Sequence, residues 1–145
     1  MRDGLGTVQT FTSPAAGANF STAVPAGYRW RIWGGSALLT ASATAANRNP
    51  FLTYTVGTSV VWASGINSVT VGTTPDFSVT ANQIVTLVFE EHQAELNDLY
   101  VTSFLPIHSK ALWLPAAAVV AITVQNLDTT DQLSNIGFLI ETAAA

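Results

Sequence analysis

The chain has 145 residues and a mass of 15.3 kDa, enough for one domain that buries roughly two thirds of its unfolded surface. It is 48% hydrophobic and only 10% charged, against about 25% charged in an ordinary soluble domain, and five basic against nine acidic residues leave a net charge of -4. Clustered Lys and Arg are missing, which excludes a general nucleic-acid binder; the absence of cysteine excludes disulfides and thiol nucleophiles; and no apolar run reaches the ~20 residues of a membrane span.

Taken in chain order, Met1 to Gly6 is followed by no apolar stretch, so no secretory signal peptide is expected and the protein reads as soluble. Residues 1–22 carry little pattern beyond a short strand at Thr7–Thr12 and read as an N-terminal arm. Tyr28–Trp33 and Ser36–Ala43 follow, separated by Gly34 and Gly35, then Phe51–Val56, Ser59–Ala63 and Asn67–Val71. Gln83–Glu90, in which Val85 and Val88 interrupt the alternation of Ile84, Leu87 and Phe89, reads as a central strand buried on more than one face. Glu91 to Asp98 holds a helical turn or a charged loop. Leu99–Leu105, Val119–Gln125 and Asn135–Glu141 complete the set, and residues 142–145 read as a short flexible C-terminus. Short runs of β-branched and aromatic residues between Gly, Pro, Asn and Ser predict an all-β fold. An antiparallel β-sandwich of the jelly-roll kind, with residues 1–145 as a single domain, is the natural architecture.

An internal echo points the same way. Val24-Pro-Ala-Gly-Tyr-Arg-Trp-Arg-Ile32 and Leu114-Pro-Ala-Ala-Ala-Val-Val-Ala-Ile122 share an apolar residue, Pro, Ala and a terminal Ile at equal spacing. Both read as entries to strands at matching corners of a double sheet.

Chemistry is sparse. His92, beside Glu90, Glu91 and Glu95, reads either as part of a metal site or as a solvated acidic loop. Asp128 and Asp131 lack the ligand ladder of an EF-hand loop and read as a hairpin turn between the last two strands. No nucleophile elbow, phosphate loop or dinucleotide fingerprint occurs, so no enzyme activity and no cofactor is expected. Trp30, Trp33, Trp62 and Trp113 read as core or interface residues, or in part as a sugar-stacking surface.

The basic residues are the informative ones. In Tyr28-Arg29-Trp30-Arg31-Ile32 the period of two puts Tyr28, Trp30 and Ile32 on one face and both arginines on the other. Arg29, Arg31 and Trp33, together with Arg48, are therefore candidate protein-interface residues, because Arg forms bidentate contacts with the carboxylates of a neighbouring subunit. The competing reading pairs them with acids of an adjacent strand in the same chain.

The run Val24-Pro-Ala-Gly-Tyr-Arg-Trp-Arg, the strand Leu39-Thr-Ala-Ser-Ala-Thr44, the turn Asn47-Arg-Asn-Pro50 and the Leu114-Pro step resemble small jelly-roll structural proteins of tailed bacteriophages. The resemblance runs from Thr22 to Glu141. It implies a virion component of the capsid decoration or cement type, on the outer surface of the capsid and in the host cytoplasm during assembly. The implied partners are the major capsid protein and other copies of the chain, as a homo-oligomer (dimer or trimer), with no nucleic acid and no membrane. A carbohydrate-binding module of a tail fibre or spike, with Trp33, Trp62 or Tyr54 as platforms, is the alternative.

Overall fold

The computed structural model describes residues 6–65, 67–68, 78–90 and 112–145. Among these there is no helix, and ten strands form two antiparallel sheets packed together as a β-sandwich. One sheet has six strands, in the order β1 (Thr7–Phe11), β10 (Gln132–Ala144), β3 (Tyr28–Thr40), β7 (Ile84–Glu90), β6 (Asn67–Ser68), with β8 (Trp113–Leu114) also on β3. The other has four, in the order β2 (Phe20–Ala23), β9 (Val119–Gln125), β4 (Asn49–Val56), β5 (Ser59–Gly65).

Alternation of apolar and small polar residues builds the core. Trp30, Ile32, Leu39, Leu87, Phe138 and Ile140 point inward from the six-stranded sheet and meet Leu52, Tyr54, Val120, Ile122 and Val124 from the other. Each such side chain contributes roughly 1.5–3 kcal/mol on burial. Phe11 closes one side, 5.5 Å from Phe20 and 5.4 Å from Phe138 in edge-on geometry, an arrangement that favours the positive ring edge against a negative face.

Several expectations change at this level. Gly34 and Gly35 do not break a strand: β3 runs through them, because β10 lies on one side (Gly35↔Phe138) and β7 on the other (Gly35↔Phe89). Two ladders offset the roughly 0.5–1 kcal/mol that a strand glycine costs. The residues expected as an N-terminal arm (1–22) supply β1, paired with β10, and most of β2, paired with β9. The expected flexible C-terminus is likewise strand, with Thr142, Ala143 and Ala144 opposite Trp30, Arg29 and Tyr28. β7 lies between β3 and β6 but alternates simply, with Val85 and Leu87 buried and Ile84 67% exposed. Asp128 and Asp131 are not in a hairpin, since β9 and β10 belong to different sheets and the connection crosses between them. The strand expected at Leu99–Leu105 and the segment Glu91 to Asp98, with His92, lie outside the described residues.

The echo is structural. Tyr28 N–H donates to Pro25 O (3.2 Å) and Ala118 N–H to Pro115 O (3.1 Å), so each motif is a tight turn. The third residue of each has positive φ, 84° at Gly27 and 67° at Ala117, as a type II turn requires. The corners also bond each other, Val24 N–H to Ala118 O (2.8 Å) and Ala117 N–H to Val24 O (2.9 Å). One corner carries the chain from β2 in the four-stranded sheet to β3 in the six-stranded one, and the other carries it back from β8 to β9.

Candidate protein interface

The outer face of the six-stranded sheet holds the largest group of aromatic and charged side chains among the described residues. Strand alternation sends Trp30 and Ile32 into the core and Arg29, Arg31 and Trp33 outward. A register shift between the pairs Leu139↔Gly34 and Ile140↔Ile32 leaves Trp33 as the extra residue of a bulge, the kind of irregularity that re-aims a side chain. β8 then lays Trp113 beside Arg31.

The result is a layered cluster. Glu141, opposite Arg31 on β10, accepts from Arg31 Nε (2.8 Å) and Nη2 and from Trp33 Nε1 (3.2 Å) through one carboxylate oxygen. Arg31 lies over Trp113 at 4.5 Å and over Trp33 at 4.9 Å. Arg29 covers Trp113 at 4.6 Å. Glu141 is nearly fully buried beneath these groups, so its charge is neutralised locally and the ion pair is shielded from salt more than an exposed one. The competing reading of the arginines therefore holds for Arg31, which pairs with an acid of the adjacent strand in its own chain.

Arg29 differs. It is exposed, and no carboxylate among the described residues pairs with it. Its guanidinium rests on an indole, which restricts its motion and reduces the entropy lost when a partner binds. Tyr28, which the alternation assigns to the inner face with Trp30 and Ile32, is 50% exposed at the start of β3. Arg29, Arg31 and Glu141 together leave one net positive charge on a protein of net charge -4.

Arg48 is not part of this face. It is fully buried, and its guanidinium forms a two-point contact with Asp131, Nε to Oδ2 at 2.8 Å and Nη2 to Oδ1 at 3.0 Å. The remaining donors reach Ala46 O (2.9 Å), Thr44 O (3.0 Å) and Ser42 Oγ (3.2 Å). Asp131 also accepts from the backbone N–H of Ser42 (2.7 Å) and of Asp128 (2.8 Å). The chain crosses between the sheets twice here, from β3 to β4 and from β9 to β10, and this clasp ties the two crossings together. Burial pushes the Asp131 carboxyl up, but donors from Arg48, the two backbone N–H groups and Ser42 outweigh it and hold its pKa at about 2. Hydrogen bonds from Thr130 and Ser42 hold Asp128 below its ordinary value as well. The sequence carried one clue to the clasp: Arg48 stands alone among uncharged residues, in a chain that uses charge rarely.

The proposed sugar platforms also change. Tyr54 is buried and stacks on Trp62 at 4.7 Å and 23° on the inner side of the four-stranded sheet, so Tyr54 offers no open ring face. Among the described residues no group of three or more His, Asp or Glu side chains is placed to hold a metal ion.

No protein-family model, curated protein or solved structure matches the chain.

Proposed function

We propose that this chain is a virion structural protein of the capsid decoration, or cement, type. It binds the major-capsid lattice from outside as a homo-oligomer and stabilises the head. The observation that carries this reading is Arg29: a guanidinium held ready on Trp113, exposed, without a carboxylate partner among the described residues, on a protein poor in charge. Such a group suits a carboxylate of a neighbouring protein. Arg and Trp are the residue types that dominate interface energetics.

The strand order supports the finer, jelly-roll reading of the fold. With the short β6 and β8 set aside, the first strand pairs with the last (β1 with β10), the second with the next to last (β2 with β9), the third with β7 and the fourth with the fifth (β4 with β5). That is one long antiparallel hairpin. The further pairs β10 with β3 and β9 with β4 are what rolling that hairpin up creates.

A protein that binds only the assembled lattice stabilises it by mass action, and many copies multiply a weak contact. Head particles prepared with and without the chain test the reading. Particles that carry it withstand higher temperature before releasing DNA, and equal resistance of the two preparations overturns it.

A further inference from the structure

The outer face of the four-stranded sheet is unlike the rest of the surface. β2, β4, β5 and β9 contain no Asp, Glu, Lys or Arg. The pairing registers align their outward residues in rows across the sheet: Ser21, Ala121, Thr53 and Ala63 in one, and Ala23, Val119, Thr55 and Val60 in the next. None of these residues is buried. Side chains this short leave a flat surface of methyl and hydroxyl groups.

We propose that this face binds a second copy of the same chain, face to face about a two-fold axis. In such a contact each patch meets its own copy, so any charged group near the axis would face a like charge, at a cost of several kcal/mol. The four-stranded face carries no charge to repel its copy. The opposite face is unsuited, because Arg29 and Arg31 of two copies would oppose each other, with Glu141 the one carboxylate paired with them among the described residues. Pairing through the edge of the same sheet is also disfavoured. In β5 a register shift leaves Val61 without a partner on β4, and a bulge of this kind twists an edge away from a further strand.

Size sets the strength. Strands about 4.8 Å apart and residues about 3.3 Å along each strand give a face of roughly 19 by 23 Å, or about 450 Å² per copy. Two such faces bury about 900 Å², below the ~1,200 Å² of stable specific interfaces and in the range of weak, transient ones. The association is therefore concentration-dependent rather than permanent. It supplies the homo-oligomer of the proposed function and leaves the Arg29 face open on each copy. It rests on that reading for its purpose but not for its chemistry.

Ala121 lies in the middle of the first row, between Ser21 and Thr53. Sedimentation of the full chain and of Ala121→Glu and Ala121→Lys, alone and mixed, tests the proposal. The unmodified chain self-associates as concentration rises. Each variant alone dimerises at least tenfold more weakly, and an equimolar mixture recovers association, because Glu then faces Lys. Recovery also demonstrates that both variants are folded. A chain that stays monomeric at millimolar concentration, variants that associate like the parent, or a mixture without recovery would each overturn the proposal. Heads indifferent to the chain would remove the decoration role while leaving this dimer intact, so the two failures are distinguishable.

Discussion

Replacing Asp131 with Asn tests the physical account of the buried clasp most directly. The substitution keeps shape and removes one charge, leaving the Arg48 guanidinium fully buried with two backbone carbonyls, a hydroxyl and an amide oxygen as acceptors. Breaking a buried pair by neutralising one partner costs about 3–5 kcal/mol, because the remaining charge has lost its hydration without compensation. Small domains have a total stability of about 5–15 kcal/mol, so Asp131→Asn removes a large share of it and lowers the melting temperature by roughly 10–15 °C. Arg48→Met costs a similar amount. The double variant Arg48→Met/Asp131→Leu costs at least as much as either single one, since the N–H groups of Ser42 and Asp128 and the carbonyls of Thr44 and Ala46 then lack partners, at about 1–3 kcal/mol for each group left unsatisfied. Urea denaturation followed by tryptophan fluorescence measures all three. Single-variant losses below about 1 kcal/mol, the range of a solvated surface pair, would refute this account. Acid provides a second readout. The folded carboxyl has a pKa of about 2 against an ordinary 3.8, so the folded state favours the charged form. The corresponding stability, about 2 kcal/mol, is complete above about pH 4 and is lost as pH falls through about 2. In Asp131→Asn the dependence of stability on pH across this window is flatter by that amount.

The paired corners predict opposite effects of one methyl group. Gly27→Ala destabilises by about 1 kcal/mol because φ is 84° there, while Ala117→Gly relieves the left-handed strain at φ 67° and stabilises by about 0.5 kcal/mol after its added chain entropy is counted; denaturation midpoints decide both. Gly17→Ala costs at least about 2 kcal/mol, since φ is +77° and a Cβ would come within 2.7 Å of Thr129 Cα; a midpoint within error of the parent would contradict the packing described. Glu141→Gln weakens the anchor of Arg31 and costs about 1–3 kcal/mol. The indole Nε1–H resonance of Trp33, which donates to Glu141, shifts in the same variant, and an unchanged resonance would argue against the cluster.

The residues themselves carried the strand-rich class, the inward positions of Trp30 and Ile32 (though not of Tyr28, which is half exposed), the strand Val119–Gln125 and the two Pro-led corners, because side-chain period, β-branched content and turn chemistry are local properties. Pairing between distant segments decided the rest. Gly34 and Gly35 look like a break in one dimension and become strand only when β10 and β7 flank them. Thr142–Ala144 has no pattern of its own and is ordered by β3. The same rule divided the arginines. Arg29, Arg31 and Arg48 are alike as letters, but Arg31 found Glu141 across 110 residues and Arg48 found Asp131 across 83. Which cation is buried, which is paired and which stays open depends on what the fold brings within a few ångströms, and separation along the chain says nothing about that distance.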